Sequence, residues 1–256
     1  MFQTIRHLIL RWASAAVALA AVAAPSLAQG LTVAVDSSLN DAMKAVVREF
    51  EAGHAGLGVT LLVGAPGALL EQIGQGTAAD VLAGADAQTV DLGVQRRLLL
   101  SDLGGVFASN ALVLVVPASL NLPVQRLSDL ARPEVARIAM GREASVPAGR
   151  YAREAINGQR MWPSLQRKVV LADDVREVLD RVAASDVEAG FVYATDVAAA
   201  AGRVRVVQTL QTTTPIRYLA NVVAGSKNLA LAREFVAYLR SERAGAVFKR
   251  FGFGVP

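Results

Sequence analysis

The sequence contains no cysteine, which excludes disulfides, thiolate nucleophiles and thiolate metal sites together. Histidine is nearly absent too: the 256 residues include two, His7 and His54. A Ser-His-Asp triad or a multi-histidine metal centre has almost nothing to be built from, so no enzyme, metal ion or organic cofactor is expected. Aromatics are scarce at 5%, against 53% hydrophobic and 19% charged residues. That balance suits an alanine-rich α/β protein and neither a disordered chain nor a repeat array. No second long apolar run follows residue 30, so the mature chain is expected to be soluble.

What is present begins with a leader. Arg6 and Arg11 form a basic start without acids, residues 12–24 are apolar or small, and Ser26-Leu27-Ala28 has the small-x-small form of a cleavage site. Residues 1–28 therefore have the pattern of a secretory signal peptide cut after Ala28, with a periplasmic destination. A membrane anchor is disfavoured, because the apolar run falls short of the roughly 20 residues a span needs and Pro25 ends it. Removing Arg6 and Arg11 leaves 24 basic against 22 acidic residues, with the cations scattered. Nucleic-acid binding gains no support from that pattern.

Short strands alternate with amphipathic helices along the rest of the chain. Strands are expected at 31–35, 59–63, 79–83 and 111–116, with helices at 39–50, 68–76 and 86–96 between them. The second half repeats the rhythm, with strands at 137–140, 168–171, 189–193, 204–207 and 216–224 and helices at 147–157, 173–185 and 196–201. Residues 229–250 close the chain as helix, broken near Ser241. The expected fold is α/β with two lobes, each a mostly parallel sheet flanked by helices. Residues 111–116 and 216–224 are the natural crossover strands, giving lobe 1 as 29–110 with 221–256 and lobe 2 as 111–220.

In open α/β sheets ligands bind beyond the carboxyl ends of strands, where helices begin and free N–H groups favour an anion. Four such junctions stand out. Asp36-Ser37-Ser38 follows the first strand, Pro147-Ala148-Gly149 opens a helix, Asp173-Asp174-Val175 opens another, and Tyr193 ends a strand. Each has a plain alternative: Ser38 and Asp174 as helix caps, Tyr193 as a core tyrosine, and His54 as a solvated loop residue.

Several of these segments together resemble the periplasmic molybdate-binding proteins, the receptors of molybdate ABC importers. The likeness is carried by Ser38 to Met43, by Val146-Pro147-Ala148-Gly149-Arg150-Tyr151-Ala152-Arg153-Glu154-Ala155, by Ala172-Asp173-Asp174-Val175-Arg176, and by Gly190-Phe191-Val192-Tyr193. It implies a two-lobed periplasmic binding protein fold of type II. It also implies a monomer that binds molybdate or tungstate in the interlobe cleft and delivers it to an ABC permease. Carried over by position, Ser38 donates through hydroxyl and amide, Ala148 and Val175 through amides, and Tyr193 through its hydroxyl. Ser37, Ala65 and Gly67 are additional candidates.

Two departures accompany the likeness. Where the family has a serine-rich turn, this chain has Gly64-Ala65-Pro66-Gly67-Ala68, and Pro66 lacks a backbone donor. Asp36 places a carboxylate before the first serine, and a carboxylate repels an oxyanion unless it points away or carries a proton. A receptor of the same fold for another oxyanion or small organic anion is therefore the alternative. An enzyme using Asp36 or Asp173 is a remoter one.

Overall fold

The computed structural model describes residues 29–101, 105–119 and 121–256; the expected signal peptide lies outside them. The first sheet has strand order β2-β1-β3-β10-β4, from β1 (Gln29–Asp36), β2 (Leu57–Gly64), β3 (Val81–Gly84), β4 (Gly105–Ser109) and β10 (Arg217–Val222). The second has order β7-β6-β8-β5-β9, from β5 (Leu112–Pro117), β6 (Ile138–Gly141), β7 (Val169–Ala172), β8 (Ala189–Tyr193) and β9 (Val204–Leu210). Helices α1 (Asn40–Ala52), α2 (Pro66–Gly74), α3 (Ala87–Gln95), α7 (Leu229–Leu239) and α8 (Glu242–Arg250) belong with the first sheet. Helices α4 (Pro147–Gly158), α5 (Trp162–Leu165) and α6 (Val175–Ala183) belong with the second.

Four of the five strands in each sheet run the same way, the mostly parallel arrangement expected, and one strand in each is reversed. β2-β1-β3 and β7-β6-β8 are parallel, whereas β10 and β5 each join antiparallel to both neighbours. The reason is connectivity: β5 and β10 arrive directly from the other lobe without the helical crossover that a parallel partner requires. Arg217–Val222 pairs wholly with β3 and β4, so residues 217–220 lie in the first sheet and not in the second lobe, where the sequence reading put them. The chain changes sheets at 110–111 and again within 211–216, and the Asn110 amide donates to the Ile216 carbonyl at 3.2 Å. The two crossing segments thus form one hydrogen-bonded hinge.

Local chemistry sets most element ends. Asp86 caps α3 by accepting from the Thr89 amide at 2.6 Å, and Ser241 caps α8, so the closing helix breaks where expected. Helix α2 starts at Pro66, two residues before its expected start, because proline is preformed for the first helical position. Strand β4 was not expected from the sequence; its five residues Gly105–Ser109 carry no strong alternation. His54 is not merely solvated: its ring sits 4.2 Å from the Phe50 ring and Nε2 meets Glu234 at 2.9 Å, tying α1 to α7. Among the described residues no helix is long and apolar enough to cross a membrane.

Candidate functional site

The carboxyl ends of β1, β3, β6, β7 and β8 face one seam between the lobes, and hydrogen bonds cross it. Tyr151 of α4 donates to the Ala85 carbonyl at 3.1 Å, and the Gly67 amide donates to the Ser145 carbonyl at 3.0 Å. Two ion pairs also cross it, Arg150 with Asp86 at 2.6 Å and Arg176 with Asp41 at 3.0 Å. Opposite charges on segments that approach only when the lobes meet give the closed arrangement its register. A Cβ on Gly67 would stand 2.6 Å from the Ser145 Cα, so the lobes meet backbone to backbone there. Gly67→Ala is expected to hold the seam open and to weaken ligand capture about tenfold, the scale of one lost closing contact. Titration of the variant beside the wild type checks this, and equal affinities would mean that closure does not need this contact.

Residues 36–38 line the first-lobe side. Asp36 and Ser38 are 2% and 3% exposed. Asp36 Oδ1 accepts from the Ser38 amide at 3.0 Å and from the Ser38 hydroxyl at 2.8 Å, the geometry of a capped turn. With its proton directed at Asp36, Ser38 Oγ accepts from the Tyr218 hydroxyl at 2.9 Å, which accepts in turn from Asn110 Nδ2 at 3.1 Å. A directed chain thus runs from the hinge into Asp36. Both donors expected of Ser38 point at Asp36 Oδ1 in this arrangement. The Ser37 hydroxyl beside them is buried without a partner, as is Asp36 Oδ2.

The second lobe contributes two helix starts and a phenol. Helix α4 has no capping side chain, Pro147 has no N–H, and the Gly149 and Arg150 amides turn back to the Val146 carbonyl. Ala148 is left as the first-turn donor. At α6 the Asp174 carboxylate accepts from the Arg176 and Glu177 amides at 2.7 and 3.0 Å, and not from that of Val175. Helix α6 packs on the Ser37–Leu39 turn, bringing Val175 toward it. Tyr193 is fully buried and its hydroxyl has no partner; its ring centre lies 6.0 Å from that of Tyr218. The structure therefore brings Ser37, Ser38, Ala148, Val175 and Tyr193 to one seam. From the α2 turn, Pro66 has no amide hydrogen and the Gly67 amide is held by Ser145, leaving Ala65 as the turn's remaining candidate. Asp173 is solvent-exposed and paired with Arg142.

The seam is electrostatically unusual. Burial pushes Asp36 up to about 6, opposed by its hydrogen bonds from Ser38 and reinforced by the charges of Asp86 and Asp174. Burial likewise pushes Asp196 up to about 7 against the pull of Arg176, whose Nε lies 3.2 Å away but poorly aligned for a hydrogen bond. Tyr193 and Tyr218 are raised by burial and stay neutral donors. Sequence reasoning missed the roles of Asn110, Tyr151, Asp196 and Tyr218, as well as the two seam ion pairs. Their partners lie tens to more than a hundred residues away, with no local pattern to mark them.

The architecture and the seam agree with what the chain is similar to. The chain is 35% identical to the Bacillus subtilis ABC transporter substrate-binding lipoprotein YvgL, a provisional name, over 87% of this chain and 85% of that one. It is 31% identical to the molybdate-binding protein ModA of Escherichia coli, covering 88% and 89%. The periplasmic molybdate-binding protein of Azotobacter vinelandii superposes with a TM-score of 0.75 at 20% identity, covering 88% of this chain and 99% of that one, a likeness of fold. The profile of one family runs over residues 31–254. This chain belongs to the bacterial extracellular solute-binding proteins, a family of ABC transporter receptors and not of enzymes.

Proposed function

We propose that this protein captures a tetrahedral oxyanion between its lobes, molybdate and with it tungstate, and hands it to the membrane permease of an ABC importer. The observation that carries the reading is a set of polar groups buried at one seam without partners. Ser37 Oγ and Tyr193 OH approach it from opposite lobes, and the starts of α4 and α6 add the Ala148 and Val175 amides. Fixed neutral donors suit a dianion: they stabilise charge without reorganising and hold it less tenaciously than a guanidinium clamp. The molybdate-binding relatives support the choice of ion. On this reading the protein works in the periplasm as a monomer after loss of residues 1–28, and closure around the ion presents both lobes to the permease.

Asp36 and Pro66 favour a second reading, a receptor of the same fold for another oxyanion or a small organic anion. Calorimetric titration of residues 29–256 with molybdate, tungstate, sulfate and phosphate separates the two. The expected result is tight one-to-one heat from the first two and none from the others. Heat from sulfate or phosphate with molybdate silent would move the assignment to the second reading.

A further inference from the structure

Asp36 is the feature that neutral-donor capture does not explain. Its Oδ1 is saturated by Ser38, while Oδ2 is buried without a partner, as are the Ser37 and Tyr193 hydroxyls. A fully deprotonated oxyanion offers only acceptors, so an ionised Oδ2 would set like charge against like in a site closed to water. The surroundings do not supply the missing positive charge. From the start of α3 comes Asp86, whose partner is Arg150 of α4; from the start of α6 comes Asp174, used as a helix cap. From the turn after β8 comes Asp196, against Arg176. Tyr151 of α4, Tyr193 of β8 and Tyr218 of β10 are neutral phenols. Three carboxylates and two committed guanidiniums leave a proton as the simplest means of joining Asp36 to an anion.

We propose that Asp36 makes this receptor proton-coupled: the oxyanion is held with one proton between one of its oxygens and Asp36 Oδ2, so the carboxyl serves as a specificity-determining donor. This rests on the oxyanion reading above and goes beyond it, since it fixes the stoichiometry of what enters the cleft. The proton comes from solution when the free carboxylate is ionised, or on the ligand when the ligand is a monohydrogen oxyanion. Burial already brings the free carboxyl up to about 6, and a bound dianion raises it further. Below about pH 6 the proton is in place and affinity is flat. Above it, each pH unit weakens dianion capture about tenfold, the linkage expected for uptake of one proton.

The experiment is titration of the wild type and Asp36→Asn with molybdate, tungstate, phosphate and arsenate between pH 6 and 8.5, in PIPES, HEPES and Tris, whose ionisation heats differ. The wild type is expected to take up about one proton per molybdate at pH 8 and to lose about tenfold in affinity per unit. The asparagine side chain carries a permanent amide donor, so the variant is expected to bind without proton uptake and at least tenfold more tightly at pH 8. Tight molybdate binding by the wild type without proton uptake, or an unchanged pH slope in the variant, overturns the proposal. Phosphate or arsenate binding that is lost in the variant, with molybdate silent, upholds the proton at Asp36 and overturns the molybdate reading. Silence from all four anions at every pH overturns both.

Thermal unfolding of the two free proteins adds a ligand-independent control. A carboxyl raised on folding contributes its stability below the unfolded value of about 3.8, and that contribution is lost as pH rises through about 6. The melting points are therefore expected to agree at pH 4, with the variant melting higher at pH 7.5. Equal melting points at both pH values would mean that the carboxylate is not confined, and would overturn the proposal.

Discussion

Replacing Gly149 with alanine is expected to destabilise the protein by about 3 kcal/mol, near the upper end of what overpacking usually costs. A Cβ at this position would lie 2.0 Å from the Gly141 carbonyl oxygen and 2.7 Å from its carbon. Both atoms are backbone of β6, which is hydrogen-bonded to β7 on one side and β8 on the other and has little room to yield. Helix α4 must move instead, and with it go the Ala148 amide, the Tyr151 bond to Ala85 and the Arg150 pair with Asp86. The intrinsic preference of a helix for alanine over glycine, about 1 kcal/mol, recovers only part of the loss. Gly158 at the other end of α4 is the control, because a Cβ there meets nothing within 4 Å and its alanine variant is expected to be neutral or slightly stabilised. Urea unfolding of residues 29–256 followed through Trp162, the one tryptophan in that span, measures both; Arg153 of α4 lies 3.3 Å over its ring. An unchanged midpoint for Gly149→Ala would show that α4 does not sit against β6 as described.

Tyr193→Phe is expected to move two properties in opposite directions. In the free protein the Tyr193 hydroxyl is buried and unpartnered, so deleting it removes a desolvation penalty and raises stability by about 1 kcal/mol. On the proposed oxyanion reading the same deletion also removes a donor to a doubly charged ligand. A hydrogen bond to a charged group contributes about 1.5–3 kcal/mol, so affinity is expected to fall roughly ten- to a hundredfold. A core tyrosine with no ligand role would leave affinity untouched, whatever the change in stability. Melting temperature and calorimetric affinity on the same preparation decide between them. A stabilised variant with full affinity would remove Tyr193 from the site while keeping its hydroxyl as an unexplained orphan.

Much of the local structure was legible because its causes act over a few residues. Ser241 stops one helix and starts the next, Asp174 caps α6 and leaves Val175 free of the cap, and Pro66 sits at a helix start as proline prefers. Apolar stripes at helical and strand periods located α1, α4, β5 and β8 within a few residues. The competition at residue 38 is also local: an aspartate two residues upstream reaches both Ser38 donors, an outcome the serine's attraction as a ligand obscured. The sheet membership of β10 was not legible, because a short apolar strand pairs equally well with either lobe and only the hinge geometry selects the first.

By itself, the sequence determined most of the segments that become strands and helices, β4 excepted, which amides the helix starts leave uncapped, and which chemistries a chain with no cysteine and two histidines has little to build from. Tertiary structure decided the rest: that Asp36 is buried with one oxygen unpartnered, that Arg150 meets Asp86 and Arg176 meets Asp41, and that Gly67 touches Ser145. Helix capping and side-chain periodicity depend on neighbours within one or two turns, so composition in a short window suffices to read them. Burial and charge pairing depend on distances between segments 64 to 135 residues apart, and those distances exist only once the two lobes have folded and met.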